Sequence, residues 1–203
     1  MENPFDARAK TWDEDPRRVQ LAADLFAALA QQVPLRPGFS ALDYGCGTGL
    51  LTLALAPRVR RVLAVDSSKG MLEVLAQKAK ACGLHHVQTL CADFANGPAP
   101  SGAHDLVASA MALHHVAETE TLLRNFFALL APGGSLALAD LDAEDGSFHG
   151  NRAGIPHFGF DRAQLARQLA TCGFENIQFT TAARIEKHSR PYPVFLATAR
   201  KPG

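Results

Sequence analysis

Apolar positions recur along this chain with two different periods, and the alternation between the periods predicts its elements. Val19, Ala22, Ala23, Phe26, Leu29 and Val33 return at helical spacing. They follow Asp15-Pro16, a pair suited to the N-cap and the first helical position, and Pro34, Pro37 and Gly38 close the segment. The pattern predicts a helix that buries one stripe. Short apolar runs come next: Ala41 to Asp43, Arg61 to Asp66, Val87 to Cys91, Asp105 to Ser109 and Ser135 to Leu141. Runs of this length, bounded by turn residues, read as buried strands. Helical segments lie between them. Residues 49–56 form a short one stopped by Pro57. Ser67-Ser68 caps one that carries Met71, Leu72, Leu75, Ala79 and Cys82 and ends at Gly83. Residues 118–131 place Leu122, Leu123, Phe126 and Leu130 on one side. Asp161 with Gln164 resembles a capping box for a helix that ends at Gly173. Two last strands, near 175–183 and 192–199, read as a hairpin around residues 187–193.

Strands alternating with helices imply an α/β fold, a doubly wound parallel sheet with helices on both faces. The closing hairpin makes the last strand antiparallel. No internal repeat or second domain interrupts the pattern, so residues 1–203 are expected to form one domain, with 1–36 as a lid and helix ahead of a 37–203 core. A Pro/Gly-rich loop covers 96–102. A polar loop covers 142–160, and a loop of that length points to function.

The junction after the first strand carries the first chemistry. Asp43-Tyr44-Gly45-Cys46-Gly47-Thr48-Gly49-Leu50 is a strand-to-helix turn with alternate glycines. Glycine takes positive φ freely and lets a ligand lie against bare backbone, and such a turn can aim helix N–H groups at that ligand. A dinucleotide fingerprint requires G-x-G-x-x-G. Gly45 and Gly47 fit it, but Leu50 stands where the third glycine belongs, so a nicotinamide dehydrogenase is disfavoured.

Composition narrows the classes further. The chain has 203 residues, 47% hydrophobic and 20% charged, with Lys+Arg and Asp+Glu both 20. That is ordinary for a globular protein, and no basic excess advertises a nucleic-acid partner. The four cysteines, Cys46, Cys82, Cys91 and Cys172, form no C-x-x-C pair and read as small buried hydrophobes in a reducing compartment. The N-terminus has neither a basic n-region nor an apolar h-region, and no apolar run approaches the ~18 residues of a membrane span. The expectation is a cytoplasmic protein.

Ligands of an open parallel sheet sit at the carboxyl ends of its strands, so each predicted tip matters. The first offers Asp43 and the glycines. The second offers Asp66, 21 residues after Gly45, where a ribose-binding acid belongs; a carboxylate accepts both ribose hydroxyls at once. The third offers Asp93, able to accept from an adenine amino group, with Phe94 or Met71 to pack on the ring. The fourth offers the Ala110 backbone. The fifth follows Pro132-Gly133-Gly134.

The ordered set, D-x-G-x-G-x-G from Asp43 to Gly49, then Asp66, Asp93 and Pro132-Gly133-Gly134, resembles the class I S-adenosylmethionine (SAM)-dependent methyltransferases over about residues 39–199. Leu113-His114-His115-Val116 and Phe5-Asp6-x-x-Ala9-x-x-Trp12-Asp13 are similar to the small-molecule branch of ubiquinone and menaquinone biosynthesis, where Tyr often replaces Trp12. The resemblance implies a Rossmann-like, seven-stranded, mostly parallel sheet with one antiparallel strand. It implies SAM as cofactor, S-adenosylhomocysteine as product and methyl transfer to a small molecule. Trp12, Asp43, Gly45, Cys46, Gly47, Gly49, Asp66, Ser67, Met71, Asp93, Phe94, Ala110 and Met111 are the positions it places on SAM. Trp12 is expected to fold over the methionyl end as a lid. The rival class is a non-catalytic SAM-binding module, acting as monomer or homodimer like the enzyme.

An acceptor that must lose a proton needs a base, and histidine suits this near neutral pH. His115, after the fourth strand, is the first candidate and His157, in the 142–160 loop beside Phe158 and Phe160, the second. One of His114 and His115 is expected to serve the strand-to-helix turn as a structural hydrogen-bonder. His114 with Glu118, or the pairs at 85–86 and 114–115, offer no third ligand at a suitable spacing, so no metal is expected.

Overall fold

Seven strands form one sheet in the computed structural model: β1 (Ser40–Tyr44), β2 (Arg61–Asp66), β3 (Val87–Cys91), β4 (His104–Ala110), β5 (Leu130–Leu141), β6 (Glu175–Lys187) and β7 (Arg190–Arg200). Their order is β3-β2-β1-β4-β5-β7-β6. All neighbours run parallel except β7, which pairs antiparallel with both β5 and β6. The structure describes residues 3–95, 97, 99, 102–150, 154–187 and 189–203. Much of the 96–102 loop, residues 151–153 of the 142–160 loop, and His188 lie outside these.

Among the described residues, five α-helices cover the sheet: α1 (Pro16–Gln32), α2 (Leu50–Leu55), α3 (Lys69–Ala81), α4 (Thr119–Leu129) and α5 (Arg162–Thr171). Their starts follow the caps. Asp15 accepts the Arg17 N–H at 3.0 Å, Ser68 accepts from Met71, and Asp161 accepts from Gln164 at 2.7 Å. The alternation of strand residues then sends side chains to two sides. Leu42, Tyr44, Val107 and Leu136 face α4 and α5, where Leu122, Leu123, Phe126 and Leu165 close the core. Ala41, Leu106, Ala108 and Ala137 face α1 and α2 through Leu25, Leu29, Leu51 and Leu55. Each fully buried leucine or phenylalanine contributes about 1.5–3 kcal/mol by leaving water. These two layers hold the strand tips in register.

Several details differ from the sequence reading. The buried stripe of α1 runs through Leu25 and Leu29, with Leu21 and Phe26 packed beside it, whereas Val19 is 41% exposed and Ala23 is also at the surface. The helix turns its leucines, spaced by four, toward α2. Pro57 does not stop the second helix outright, because a 3-10 turn, Ala56–Arg58, carries it on. β5 begins at Leu130, with Pro132-Gly133-Gly134 inside it as an irregularity where the pairing to β4 shifts register. Cys82 and Cys91 are exposed and only Cys46 is buried. No helix among the described residues is long and apolar enough to cross a membrane.

Candidate ligand-binding site

The tips of β1, β2, β3 and β4 open onto a cavity of about 270 Å³. The glycine turn forms its floor. Gly45, Gly47 and Gly49 all have positive φ, for different reasons. A Cβ on Gly45 would stand 2.3 Å from the Ala112 Cβ, and one on Gly49 would stand 2.1 Å from Leu75 Cδ1. These two are dictated by protein packing; Gly49 lies off the cavity wall as the left-handed cap of α2. A Cβ on Gly47 would meet nothing within 4 Å. Here the backbone is bare toward the cavity.

The turn's amides are largely spent within the protein. Gly45 and Cys46 donate to Val65 O, Gly49 donates to Cys46 O, and Gly47 donates to Asp66 Oδ2 at 2.8 Å. Few N–H groups remain for a pyrophosphate. Asp66 also accepts the Ser68 N–H at 2.8 Å. These two bonds fix its carboxylate at the cavity wall, and each oxygen retains acceptor capacity. Burial raises its pKa, against the pull of the backbone amides.

Asp43 is fully buried beneath the turn and accepts the Thr52 hydroxyl at 2.6 Å. Burial pushes its carboxyl up to about 7, with Asp66 adding repulsion. A cation in the cavity would relieve that penalty. Asp93 accepts the Tyr44 hydroxyl at 3.0 Å and the Ala95 N–H at 2.9 Å. Trp12, Cys46, Ser67, Met71, Ala110, Met111 and His115 complete the brought-together set. Met111 carries φ of 56° without being glycine, a strained backbone of the kind found where a site over-determines it.

Phe94 is not at this wall. It is fully buried behind Tyr44, with ring centroids 5.4 Å apart, so its packing supports Tyr44 and leaves Met71 as the apolar group of the pair that lines the cavity. His157 is also elsewhere. Its ring lies against Phe160 and its Nε2 stands 3.3 Å from Ala117 O, which turns it from both cavities.

The N-terminal arm closes the mouth. A 3-10 helix, Asp6–Glu14, lies across α3 and the glycine turn. Asp6 accepts from Ser68 Oγ and the Gly70 N–H. Asp13 accepts from Thr48 Oγ1 and Lys78 Nζ, both at 2.6 Å. The Arg18 guanidinium sits 4.0 Å over the Trp12 ring and Arg8 4.9 Å from it. The arm pattern of the sequence contains Asp6, Trp12 and Asp13, but not Arg8 and Arg18, nor the partners that Asp6 and Asp13 meet on α3 and the glycine turn, because those contacts join distant residues.

A second cavity, about 620 Å³, adjoins the first through shared walls of Phe5, Trp12, Arg18, Leu21, Met111 and His115. Its further lining comes from the 142–160 loop, through Phe148, His149 and Ile155, and from the end of β6. His115 stands at the border, its ring 5.2 Å from Phe5, and burial together with His114 drives its pKa down to about 4. His114 is buried and held by Asp140 at the tip of β5. Asking every strand tip for its acid finds Asp140, as it found Asp43, Asp66 and Asp93. Among the described residues no cluster of three or more His, Cys, Asp or Glu is arranged to hold a metal.

Comparison with known proteins adds an independent line. Residues 41–134 match the model of a methyltransferase domain. An uncharacterised methyltransferase of Schizosaccharomyces pombe is 31% identical over 168 residues, covering 75% of this chain and 57% of that protein. Demethylmenaquinone methyltransferase of Geobacillus stearothermophilus is 35% identical over 107 residues, 51% of this chain and 46% of that one. The chain thus spans about half the length of the curated relatives it matches. Among solved structures, Haemonchus contortus phosphoethanolamine N-methyltransferase 2 in complex with SAM superposes with a TM-score of 0.75 at 17% identity, over 88% of this chain and 52% of that one.

Proposed function

From the match of residues 41–134 to a methyltransferase domain, carried on the class I fold, we propose that this chain transfers a methyl group from SAM to a small molecule. The observation that carries the reading is the paired arrangement at the first cavity: bare backbone at Gly47 beside a fixed, half-buried carboxylate at Asp66. A neutral sugar and a cationic ligand suit those groups, whereas the pyrophosphate of a dinucleotide would find the amides of the turn already engaged.

SAM supplies a methyl group on a cationic sulfur, electrophilic without further activation. The chain's share of the work is to hold, align and shield. Asp66 accepts the ribose hydroxyls, with Ser67 beside it, and Asp93 accepts from the adenine amino group while Met71 packs on the ring. The methionyl end lies along Gly45-Cys46-Gly47 and the Ala110-Met111 backbone. Asp43, with Gly49 holding α2 in place, steadies the turn and sits near the ligand's ammonium, away from the sulfur. Asp66 and Asp93 belong on the nucleoside, because acids gripping the sulfur would favour the cation over the neutral product and oppose transfer. Residues 1–36 supply the lid and α1, the lid being the arm ahead of the helix, with Trp12 over the methionyl end. The second cavity takes the acceptor, and His115 lines the wall where the two ligands meet. Alignment of this kind supplies ~7–11 kcal/mol of a displacement barrier.

The match to demethylmenaquinone methyltransferase and the pairing of the two cavities both favour a small acceptor. The test is incubation with methyl-labelled SAM and a panel of phenols, carboxylic acids and amines. Label transfer with release of S-adenosylhomocysteine is expected. SAM bound without turnover on any class would overturn the enzymatic reading and leave a binding module.

A further inference from the structure

The second cavity contains a histidine that the methyl-donor site does not use. His114 Nδ1 lies 2.7 Å from Asp140 Oδ1, both side chains being buried. The carboxylate is itself fixed: Oδ2 accepts the His114 N–H at 3.1 Å and Oδ1 accepts the Leu141 N–H at 2.7 Å. With Nδ1–H committed to Asp140, Nε2 is the basic nitrogen, and the ring stands in the wall of the larger cavity. Its ring neighbours are His115 at 4.1 Å and His149 at 5.1 Å, between centroids. His149 Nε2 is buried without a partner among the described residues.

Resting on the methyltransferase reading, we propose that His114, oriented by Asp140, is the general base for a phenolic acceptor bound in the second cavity. The acceptor's O–H bond breaks and its proton becomes Nε2–H of an imidazolium paired with Asp140. The oxygen's electron pair goes to the methyl carbon as the carbon–sulfur pair returns to sulfur.

Three features select the acceptor class. The walls are aromatic and aliphatic, from Phe5, Trp12, Phe148, Ile155 and Ile185. Among the described residues, the charged groups around the cavity are Arg8, Arg17, Arg18 and Lys187 against Asp15 and Glu186, and Asp15 is already engaged by Arg17. That balance disfavours an ammonium acceptor. A carboxylic acid is ionised at neutral pH and would leave the dyad idle, whereas a phenol with pKa near 10 is only about one part in a thousand ionised at pH 7. His115 is the poorer base, since no carboxylate orients its ring and its pKa falls to about 4.

The experiment uses para-nitrophenol as probe with the S-adenosylhomocysteine-saturated chain, below the probe's own pKa, and reads the visible nitrophenolate absorbance. The wild type is expected to bind the probe as phenolate. His114→Asn keeps an N–H for Asp140 and removes Nε2, so the phenolate signal should fall about tenfold or more while S-adenosylhomocysteine affinity and melting temperature hold. Histidine ring nitrogen shifts in the wild type, with His114 Nε2 gaining a proton on probe binding, give the same answer without a variant. An undiminished signal in His114→Asn, an unchanged Nε2, or a wild type that binds only neutral probe or none overturns the proposal. Failure to bind S-adenosylhomocysteine would instead sink the methyltransferase reading beneath it.

Discussion

The two adjoining cavities are built in different ways. The first is local and backbone-armed: one turn, Gly45 to Gly49, with acids at the tips of the strands beside it, Asp43, Asp66 and Asp93. Its carboxylates are positioned by amides of the same turns, as with Gly47 and Ser68 on Asp66. The second is gathered from the arm, the segment after β4, the 142–160 loop and the end of β6. Its chemistry is aromatic, basic and histidine-rich. A donor site common to many enzymes can sit in rigid turn geometry, while an acceptor site that must differ between them is assembled from loops.

Substitutions in the glycine turn divide binding from packing most sharply. Gly47→Asn places a side chain in the open cavity, so S-adenosylhomocysteine affinity should fall about 100-fold or more, equivalent to about 2.7 kcal/mol, at a modest backbone cost because Asn tolerates the positive φ of this position. Gly49→Ala, whose Cβ meets Leu75, should instead lower the melting temperature. Equal effects on affinity from both would erase the distinction.

Titration offers the next contrast, because the two sites pull stability in opposite directions. Asp43 loses its proton near 3.8 when unfolded and near 7 when folded. Between those limits the folded state holds the extra proton, and stability falls as pH rises, by up to about 1.4 kcal/mol per unit. His115 shifts from 6.5 down to about 4, so there the unfolded state holds the extra proton and stability falls as pH drops. Relative to wild type, Asp43→Asn should gain stability from pH 4 toward 7, and His115→Gln should gain it from 6.5 toward 4, both read by urea unfolding. Parallel curves for all three proteins would contradict these environments.

The arm that roofs both cavities gives a smaller effect. Asp13→Asn weakens the Thr48 and Lys78 contacts, a part-exposed ion pair and one hydroxyl bond worth about 1–2 kcal/mol together. S-adenosylhomocysteine binding should weaken about tenfold, and the quenching of Trp12 emission by that ligand should diminish in parallel. Unaltered quenching would mean that the arm does not track the donor site.

How much was legible in the sequence follows the same division. Strand tips and the glycine turn obey short-range rules, so Asp43, Gly47, Asp66 and Asp93 are legible as strand-end positions once the ordered resemblance is added to the spacing, and they line one cavity. Those rules place a residue at a tip without saying which way its side chain turns. Phe94, next to Asp93, points into the core behind Tyr44, and His157 turns toward Ala117. At α1, Phe26, Leu29 and Val33 pack as the spacing predicts, whereas Val19 and Ala23 fall outside the stripe and Leu25 inside it, because alanines and valines recur on more than one face and contact with α2 selects the leucines. Asp140 followed the strand-tip rule and was overlooked in favour of the Pro132-Gly133-Gly134 turn. Contacts such as Asp13 with Thr48 join residues 35 apart, and no local pattern encodes them.

Calorimetric titration of S-adenosylhomocysteine into the wild type and Asp66→Ala tests the central claim most directly. The account predicts a clear binding isotherm for the wild type. For the variant, still folded by circular dichroism, it predicts an affinity about 100-fold weaker or worse, since two charged hydrogen bonds are each worth about 1.5 kcal/mol or more. An unchanged dissociation constant in Asp66→Ala would contradict it.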